Sequence, residues 1–315
     1  MVVTASAYFT HGPGPDDPLA AMGAEVVRRP AGMDLVAALQ GASGVIAGSE
    51  PYSEAAFAAC PGLKVLARWG VGFDAVDLAA ASRHGVVVAT VPGTLEEAVA
   101  DFTFGLMLSL ARRIPEADAL MRRGGWSRLM GWDVQGRTLG IVGLGRIGTA
   151  VARRAHAFGM RVLAYDPQVD ASTVAARGAE ACDLARLLRE ADFVTLHANL
   201  TAASRHLIGP AELAMMRPGA CLINAARGGL VDTQAVVEAL ETGHLGGAAL
   251  DVYESEPLPA EHPLRQAPRC ILTPHMASAS REAAQAMSLA AARAVADVLQ
   301  GRRPASVVNP EVYGQ

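Results

Sequence analysis

The stretch RTLGIVGLGRIGTAVARRAHAFGM, residues 137–160, limits what this chain can fold into more than any other. An apolar strand pattern runs directly into Gly143-x-Gly145-x-x-Gly148, and a helical pattern follows. With 32 glycines in the chain, the spacing alone would be weak. The strand before it and the helix after it give each glycine a task. The first allows a tight turn, the second lets backbone approach a pyrophosphate, and the third lets helix and strand pack closely. The helix N-terminus then faces the phosphates, and Gly159 stands where a helix-ending glycine belongs. The next strand, RVLAYDP, ends in Asp166, 18 residues beyond Gly148. An acid there binds both hydroxyls of a ribose and repels a 2′-phosphate, so NAD is expected rather than NADP.

The rest of the chain supplies a matching frame. Its 315 residues suffice for two domains. Strand patterns at 44–47, 64–68 and 86–91 precede a helical pattern that opens near Thr94, with Glu97 at capping-box spacing. That helix is apolar on nearly all sides from Phe102 to Leu110, which predicts burial between domains or subunits. Six further strands are expected at 139–143, 161–165, 193–197, 220–224, 247–251 and 270–273, separated by helices. Such alternation signals parallel βαβ units and a doubly wound sheet. The last helical pattern, 281–300, comes after that sheet is complete and is expected to return to the first domain. The expected α/β architecture is two doubly wound parallel-sheet domains. Residues 98–285 form a Rossmann NAD-binding domain, inserted into a flavodoxin-like domain of residues 1–97 and 286–315.

Charge and cysteine use narrow the function classes. With 27 Lys and Arg against 31 Asp and Glu, the net charge is −4, and no long basic run invites nucleic acid. The four cysteines form no C-x-x-C pair and no zinc spacing, so reduced thiols, no metal and a cytoplasmic location are expected. The N-terminus lacks signal-peptide form. The longest apolar stretch is short of the ~20 residues that span a bilayer, so no membrane association is expected.

Polar residues gather at strand ends. Ligands of an open α/β sheet bind beyond the carboxyl ends of its strands. CLINAARGG places Arg227 just after one strand, GGAALDVYESEP places Asp251 and Glu256 after the next, and ILTPHMASAS places His275 after the last. Taken singly, each has an ordinary explanation: a solvated Arg, a capping Asp, a loop Glu, a structural His. Jointly, beyond successive strands of a dinucleotide sheet, they point to a reaction centre. In the first domain, ARWGVGFDAVD puts Gly70 and Gly72 after a strand, where backbone N–H groups can hold a carboxylate. His197 also ends a strand and is expected on the adenine side, while His244 follows a helix as a charge partner.

These stretches, in this order and spacing, resemble the D-isomer-specific 2-hydroxyacid dehydrogenases, in the branch similar to phosphoglycerate dehydrogenase and hydroxypyruvate reductase. The resemblance runs from about residue 44 to 305 and rests on RWGVGFDAVD, GIVGLGRIG with Asp166, INAARGGLVD, AALDVYESEP and TPHMASAS. It implies an NAD-dependent enzyme, commonly dimeric through the helix region after residue 94. It implies Arg227, Glu256 and His275 as the catalytic trio, and Val71 and Gly72 as backbone donors to the substrate carboxylate. Cofactor contacts would come from Gly143, Gly145, Arg146, Ile147, Gly148, Asp166, Ala225, Ala226, Asp251 and Ser278, with Asp251 on the nicotinamide carboxamide.

Ala75, Asp101 and Ala198-Asn199 depart from the family's frequent residues without removing a catalytic group. Phosphoglycerate dehydrogenases usually carry an Arg in the loop after the strand near residue 47. Here that loop reads AGSEPYS and has no cation. A small acid such as hydroxypyruvate or glyoxylate is therefore expected over a phosphorylated one. His275 is expected to serve as acid and base, oriented by Glu256, with Arg227 on the carboxylate and carbonyl. The alternatives are 3-phosphoglycerate oxidation and a corepressor-like regulator that senses NADH.

Overall fold

Runs such as Gly44–Ala47, GVIA, are buried along their whole length. Strands covered on both faces read as continuous apolar runs, not as alternation, and that is the mark of parallel sheets between helices. The computed structural model describes residues 1–314 apart from residues 6, 11, 15 and 31. The chain divides into two compact units: unit 1 is Met1–Leu95 with Ser278–Gln315, and unit 2 is Glu96–Ala277. The sequence-based division after residue 285 would cut the helix Arg281–Leu299. A helix folds cooperatively, and it stays whole within unit 1.

Unit 1 holds a five-stranded sheet of β1 (Val2–Val3), β2 (Val27–Arg28), β3 (Gly44–Ala47), β4 (Val65–Arg68) and β5 (Val87–Ala89). All pairings are parallel, in the order β2-β1-β3-β4-β5. This is the flavodoxin-like order, with its switch point between β1 and β3. The 281–299 helix lies across β3, where Val295 packs so closely on Gly44 that a Cβ there would sit 2.9 Å from its Cγ1. Trp69, just after β4, donates from Nε1 to Ser288 of the same helix at 3.0 Å.

Unit 2 holds seven strands: β6 (Thr138–Val142), β7 (Arg161–Tyr165), β8 (Glu180–Ala181), β9 (Phe193–Leu196), β10 (Cys221–Asn224), β11 (Gly247–Leu250) and β12 (Cys270–Leu272). All are parallel, in the order β12-β11-β10-β9-β6-β7-β8. The switch point lies between β6 and β9. The sequence predicted six strands here; the seventh, β8, is two exposed residues on the edge, too short to show a period. The helix Glu96–Arg112 belongs to this unit. Its Phe104, Met107 and Leu110 join Ile141, Val151 and Ile223 in one buried cluster. Thr94 and Glu97 do other work than closing a capping box. The Thr94 hydroxyl donates to the Val91 carbonyl at 2.6 Å, and the Glu97 carboxylate binds Arg153 and Arg154.

Among the described residues, no helix is long and apolar enough to cross a membrane. No group of three His, Cys, Asp or Glu side chains there could hold a metal ion. Cys60, Cys182, Cys221 and Cys270 are free thiols.

The C-terminal residues close the edge of unit 1. Val308 N donates to the Val88 carbonyl at 2.9 Å, and Val307 pairs antiparallel with Ala89. Buried Asn309 accepts from Val88 N at 2.8 Å and donates to the Val86 carbonyl at 2.9 Å and to Ser82 Oγ at 3.1 Å. Asn309→Ala would leave buried backbone groups unpaired. It is expected to cost about 2–3 kcal/mol, read as a lower midpoint of chemical denaturation for unit 1.

Candidate active site

The glycine loop of unit 2 has the geometry its sequence promised. Gly143 adopts φ 91, and a Cβ on it would lie 2.7 Å from the backbone of His197 and Ala198. A Cβ on buried Gly148 would lie 2.2 Å from the Gly143 carbonyl oxygen. Gly145, between them, has open space where its Cβ would stand. It is also the N-cap of the helix Arg146–Ala157, with no side-chain cap on the first-turn N–H groups. An open glycine before uncapped helix N–H groups suits an anion such as a pyrophosphate. Arg146 is exposed on this first turn, while Ile147 is partly buried against the core.

Asp166 follows β7 by one residue and reaches back to this loop. Its Oδ2 accepts from Leu144 N at 2.9 Å, and its Oδ1 accepts from Gln168 N at 3.0 Å. An ionised carboxylate has about four lone-pair sites, so capacity remains for ribose hydroxyls. His197 stands on the same edge. Burial pulls its imidazole down to about 4, and Thr195 Oγ1 lies 3.0 Å from its Nε2. It is neutral near pH 7 and serves as packing behind Gly143. His244 turns away from its own helix end, with Nε2 at 2.9 Å from the Leu213 carbonyl.

A second group of loops converges beyond β10, β11 and β12. Asp251, directly after β11, has no solvent exposure. Its carboxylate accepts from Thr273 Oγ1 at 2.6 Å, Met276 N at 2.9 Å and Ala277 N at 2.8 Å. Its backbone carbonyl accepts from His275 N at 2.8 Å. In this arrangement the carboxylate faces the 273–277 loop, and any further donor, a carboxamide included, must use the remaining lone pair. Tyr253 adds a second tie: its hydroxyl lies 2.9 Å from the carbonyls of both Leu250 and Thr273 and shares its one proton between them. His275 is thereby held at φ 51, left-handed backbone that is uncommon for a non-glycine residue.

The His275 ring comes from this loop onto Glu256. Its Nδ1 is 2.7 Å from Glu256 Oε2, while Glu256 Oε1 accepts from Tyr253 N at 3.0 Å. Burial works against the charged form of Glu256. The hydrogen bonds from His275 and Tyr253 and the nearby His275 and Arg227 charges outweigh it, so its pKa lies below the ordinary value. A carboxylate on Nδ1 directs that proton to Nδ1 and presents Nε2 as the exchangeable position. Arg227 follows β10 on a turn fixed by buried Asn224, which accepts from Ala226 N at 3.1 Å and donates to the Arg227 carbonyl at 2.9 Å. Ala225 and Ala226 form that turn and are partly exposed. Strand ends far apart in sequence thus bring Arg227, Glu256 and His275 within one electrostatic neighbourhood.

Gly228 is a site residue that motif reading passed over. A Cβ on it would lie 1.9 Å from the Tyr253 carbonyl carbon and 2.4 Å from Glu254 N. Only glycine lets the Arg227 turn meet the loop that carries Glu256. The glycine doublet after Arg227 was the available signal.

Unit 1 carries its own loop after β4. Gly70 has φ 150 and its carbonyl accepts from Val91 N at 3.2 Å. Buried Arg68 donates from Nε to the Gly72 carbonyl at 2.8 Å and from Nη1 to the Ala47 carbonyl at 3.0 Å. Among the described residues, the N–H groups of Val71 and Gly72 have no hydrogen-bond partner. Ser278 is counted with this unit, one residue past the end of unit 2. The loop after β3 has no cation of its own, yet Arg29 reaches it: Nη1 lies 3.3 Å from Glu50 Oε1. The sequence reading missed that pair, because its partners are 21 residues apart.

A seven-stranded Rossmann unit with an open glycine turn, an acid at the end of its second strand and a His–Glu pair beyond its later strand ends fits a nicotinamide-dependent dehydrogenase. Comparison with known proteins gives the family. The sequence profile described as "D-isomer specific 2-hydroxyacid dehydrogenase, NAD binding domain" matches residues 104–277. A glyoxylate reductase of Korarchaeum cryptofilum is 43% identical over 270 residues, which cover 84% of this chain and 81% of that protein. A D-3-phosphoglycerate dehydrogenase of Methanocaldococcus jannaschii is 43% identical over 78% of this chain and 48% of that longer protein. The crystal structure of a glyoxylate reductase from Paecilomyes thermophila superposes with a TM-score of 0.87, at 28% identity over 98% of both chains. The chain belongs to the D-isomer-specific 2-hydroxyacid dehydrogenases. It is an oxidoreductase of 2-hydroxy acids, and its cofactor is NAD.

Gly228→Ala is expected to displace the Arg227 turn or the 253–256 loop. Overpacking of this kind costs about 1–3 kcal/mol. A fall in melting temperature, with loss of the Glu256–His275 pair in a crystal structure of the variant, checks it.

Proposed function

We propose that the enzyme interconverts a small 2-oxo acid and its D-2-hydroxy acid, with acids of glyoxylate or hydroxypyruvate size preferred to 3-phosphoglycerate. The observation that carries this reading is the His275–Glu256 pair at 2.7 Å, beyond the strand ends of the NAD-binding unit. The name of the Korarchaeum relative, glyoxylate reductase, supports the size of the substrate.

When bound, the cofactor would provide hydride-transfer chemistry, as donor in its reduced form and as acceptor in its oxidised form. The chain's residues do the remainder. His275 gives a proton from Nε2 to the carbonyl oxygen during reduction and takes it back during oxidation. Glu256 fixes the tautomer and stabilises the imidazolium. Arg227 binds the substrate carboxylate and polarises the carbonyl, a task suited to its planar fork of donors. Val71 and Gly72 of unit 1 offer backbone N–H groups suited to a carboxylate. Gly143, Gly145, Arg146, Ile147 and Gly148 cradle the pyrophosphate, Asp166 binds the ribose, and Ala225, Ala226, Asp251 and Ser278 complete the cofactor contacts. Unit 1, Met1–Leu95 with Ser278–Gln315, serves as the substrate-binding part and unit 2, Glu96–Ala277, as the cofactor-binding part.

The measurement that separates this from a regulator without turnover is NADH oxidation against a panel of 2-oxo acids. His275→Ala is expected to lower kcat by about 10²–10⁴-fold and to leave NADH binding largely intact. Arg227→Ala is expected to raise KM and lower kcat together. Turnover by the His275 variant near that of the wild type removes His275 from the proton transfer.

We also infer a cytoplasmic homodimer. Its support is a run of large apolar side chains on one segment of unit 2: Ile114, Met121, Trp126 and Met130, the last two 88% and 81% exposed. Clustered exposed apolar residues mark interaction surfaces. Four free thiols agree with a reducing compartment. Trp126→Glu with Met130→Glu is expected to shift the protein from dimer to monomer in sedimentation velocity; an unchanged dimer moves the interface elsewhere.

A further inference from the structure

The switch point of unit 1 has a polar cluster that the dehydrogenase chemistry above leaves unused. It lies beyond β1 and β3, where an open sheet of this order opens a crevice. Thr4 follows β1, and its hydroxyl stands at the centre. Thr4 Oγ1 accepts from Gly48 N at 2.8 Å and lies 3.0 Å from Glu50 Oε2 and 3.1 Å from the Tyr52 hydroxyl. A hydroxyl has one proton. The carboxylate only accepts, so Thr4 donates to Glu50 and Tyr52 donates to Thr4. Tyr52 is 1% exposed, and burial pushes its hydroxyl well above its ordinary pKa, which keeps that proton in place.

Glu50 is held from the other side by a cation. Arg29 Nη1 lies 3.3 Å from Glu50 Oε1, while Arg29 Nε and Nη2 donate to the Met33 carbonyl at 2.9 and 2.5 Å. The Glu50 side chain folds back over Gly48, where a Cβ would sit 2.7 Å from its Oε2. One carboxylate therefore takes the Thr4 hydroxyl and the Arg29 guanidinium together. These are the donors that a phosphate or a second carboxylate on a ligand would otherwise use.

We propose that Glu50 is an internal anion at the unit 1 switch point, and that it restricts the enzyme to 2-oxo acids without a second anionic group. This rests on the reading of the chain as a reductase of small 2-oxo acids. An acid with a distal phosphate or carboxylate meets the Glu50 charge where it would need Arg29. An uncharged distal end meets no such conflict. Specificity of this kind comes from a repulsive element as much as from an attractive one.

The test compares wild type with Glu50→Gln, which keeps the shape, and Glu50→Ala, which empties the seat. The ratio of kcat/KM for 3-phosphohydroxypyruvate, and for oxaloacetate, over that for glyoxylate is expected to rise at least ten-fold in both variants, mainly through KM. Adding Arg29→Ala to Glu50→Ala is expected to remove that gain. Calorimetric titration with inorganic phosphate reads the crevice without turnover, and tighter binding by both variants than by wild type is expected. A substrate ratio unchanged within about two-fold in active enzyme overturns the proposal. If wild type reduces no 2-oxo acid, the functional reading fails by itself, and equal phosphate affinity in wild type and variants overturns the Glu50 assignment separately.

Discussion

The buried carboxylate of Asp251 is the interaction on which the geometry of the candidate site depends. A carboxylate away from water is costly unless it is fully hydrogen-bonded. Asp251 meets that demand with one hydroxyl and two backbone N–H groups, all from the 273–277 loop. The loop thus has a single favoured path. That path carries His275 through left-handed backbone, a conformation that costs on the order of 1–3 kcal/mol for a non-glycine residue and persists only where its surroundings over-determine it. The outcome is a ring whose Nδ1 rests on Glu256.

Both units use one architectural device for different ends. All strands of a sheet run parallel, so all carboxyl ends lie on one edge, and every loop after a strand has access to it. In unit 2 the switch point between β6 and β9 carries the open glycine turn, and three neighbouring strands deliver an arginine, a glutamate and a histidine. In unit 1 the switch point between β1 and β3 carries Thr4 and Glu50, and β4 delivers the glycine loop. Glycines make the approaches possible where backbone meets backbone: Gly143 against 197–198, Gly148 against Gly143, and Gly228 against 253–254.

Much of this was legible in the residues. All nine strands predicted from apolar runs lie within two residues of their observed ends, eight of them within one. The glycine turn, Asp166 and the strand-end positions of Arg227, Asp251, Glu256 and His275 were legible for the same reason. Each depends on local pattern plus one rule about sheet edges. What escaped were features without local pattern. β1, β2 and β8 are two residues each, too short for any periodicity to declare them. The capping-box spacing at Thr94 and Glu97 was a real local signal that lost to a stronger offer, the two guanidinium groups of Arg153 and Arg154.

By itself, the sequence determined the class of sheet, the presence of a glycine turn opening a helix, and the titratable residues that follow its strands. Those follow from side-chain period, backbone freedom at glycine and the chemistry of single groups. Only the tertiary structure decided which groups act on one another. Asp251 turned toward the histidine loop, Gly228 proved necessary for the arginine turn, and Arg29 from beyond β2 supplied the cation that the loop after β3 lacks. The physical reason is that a hydrogen bond or ion pair is set by distance in space. In a parallel sheet, neighbours in space are separated in sequence by a whole crossover connection.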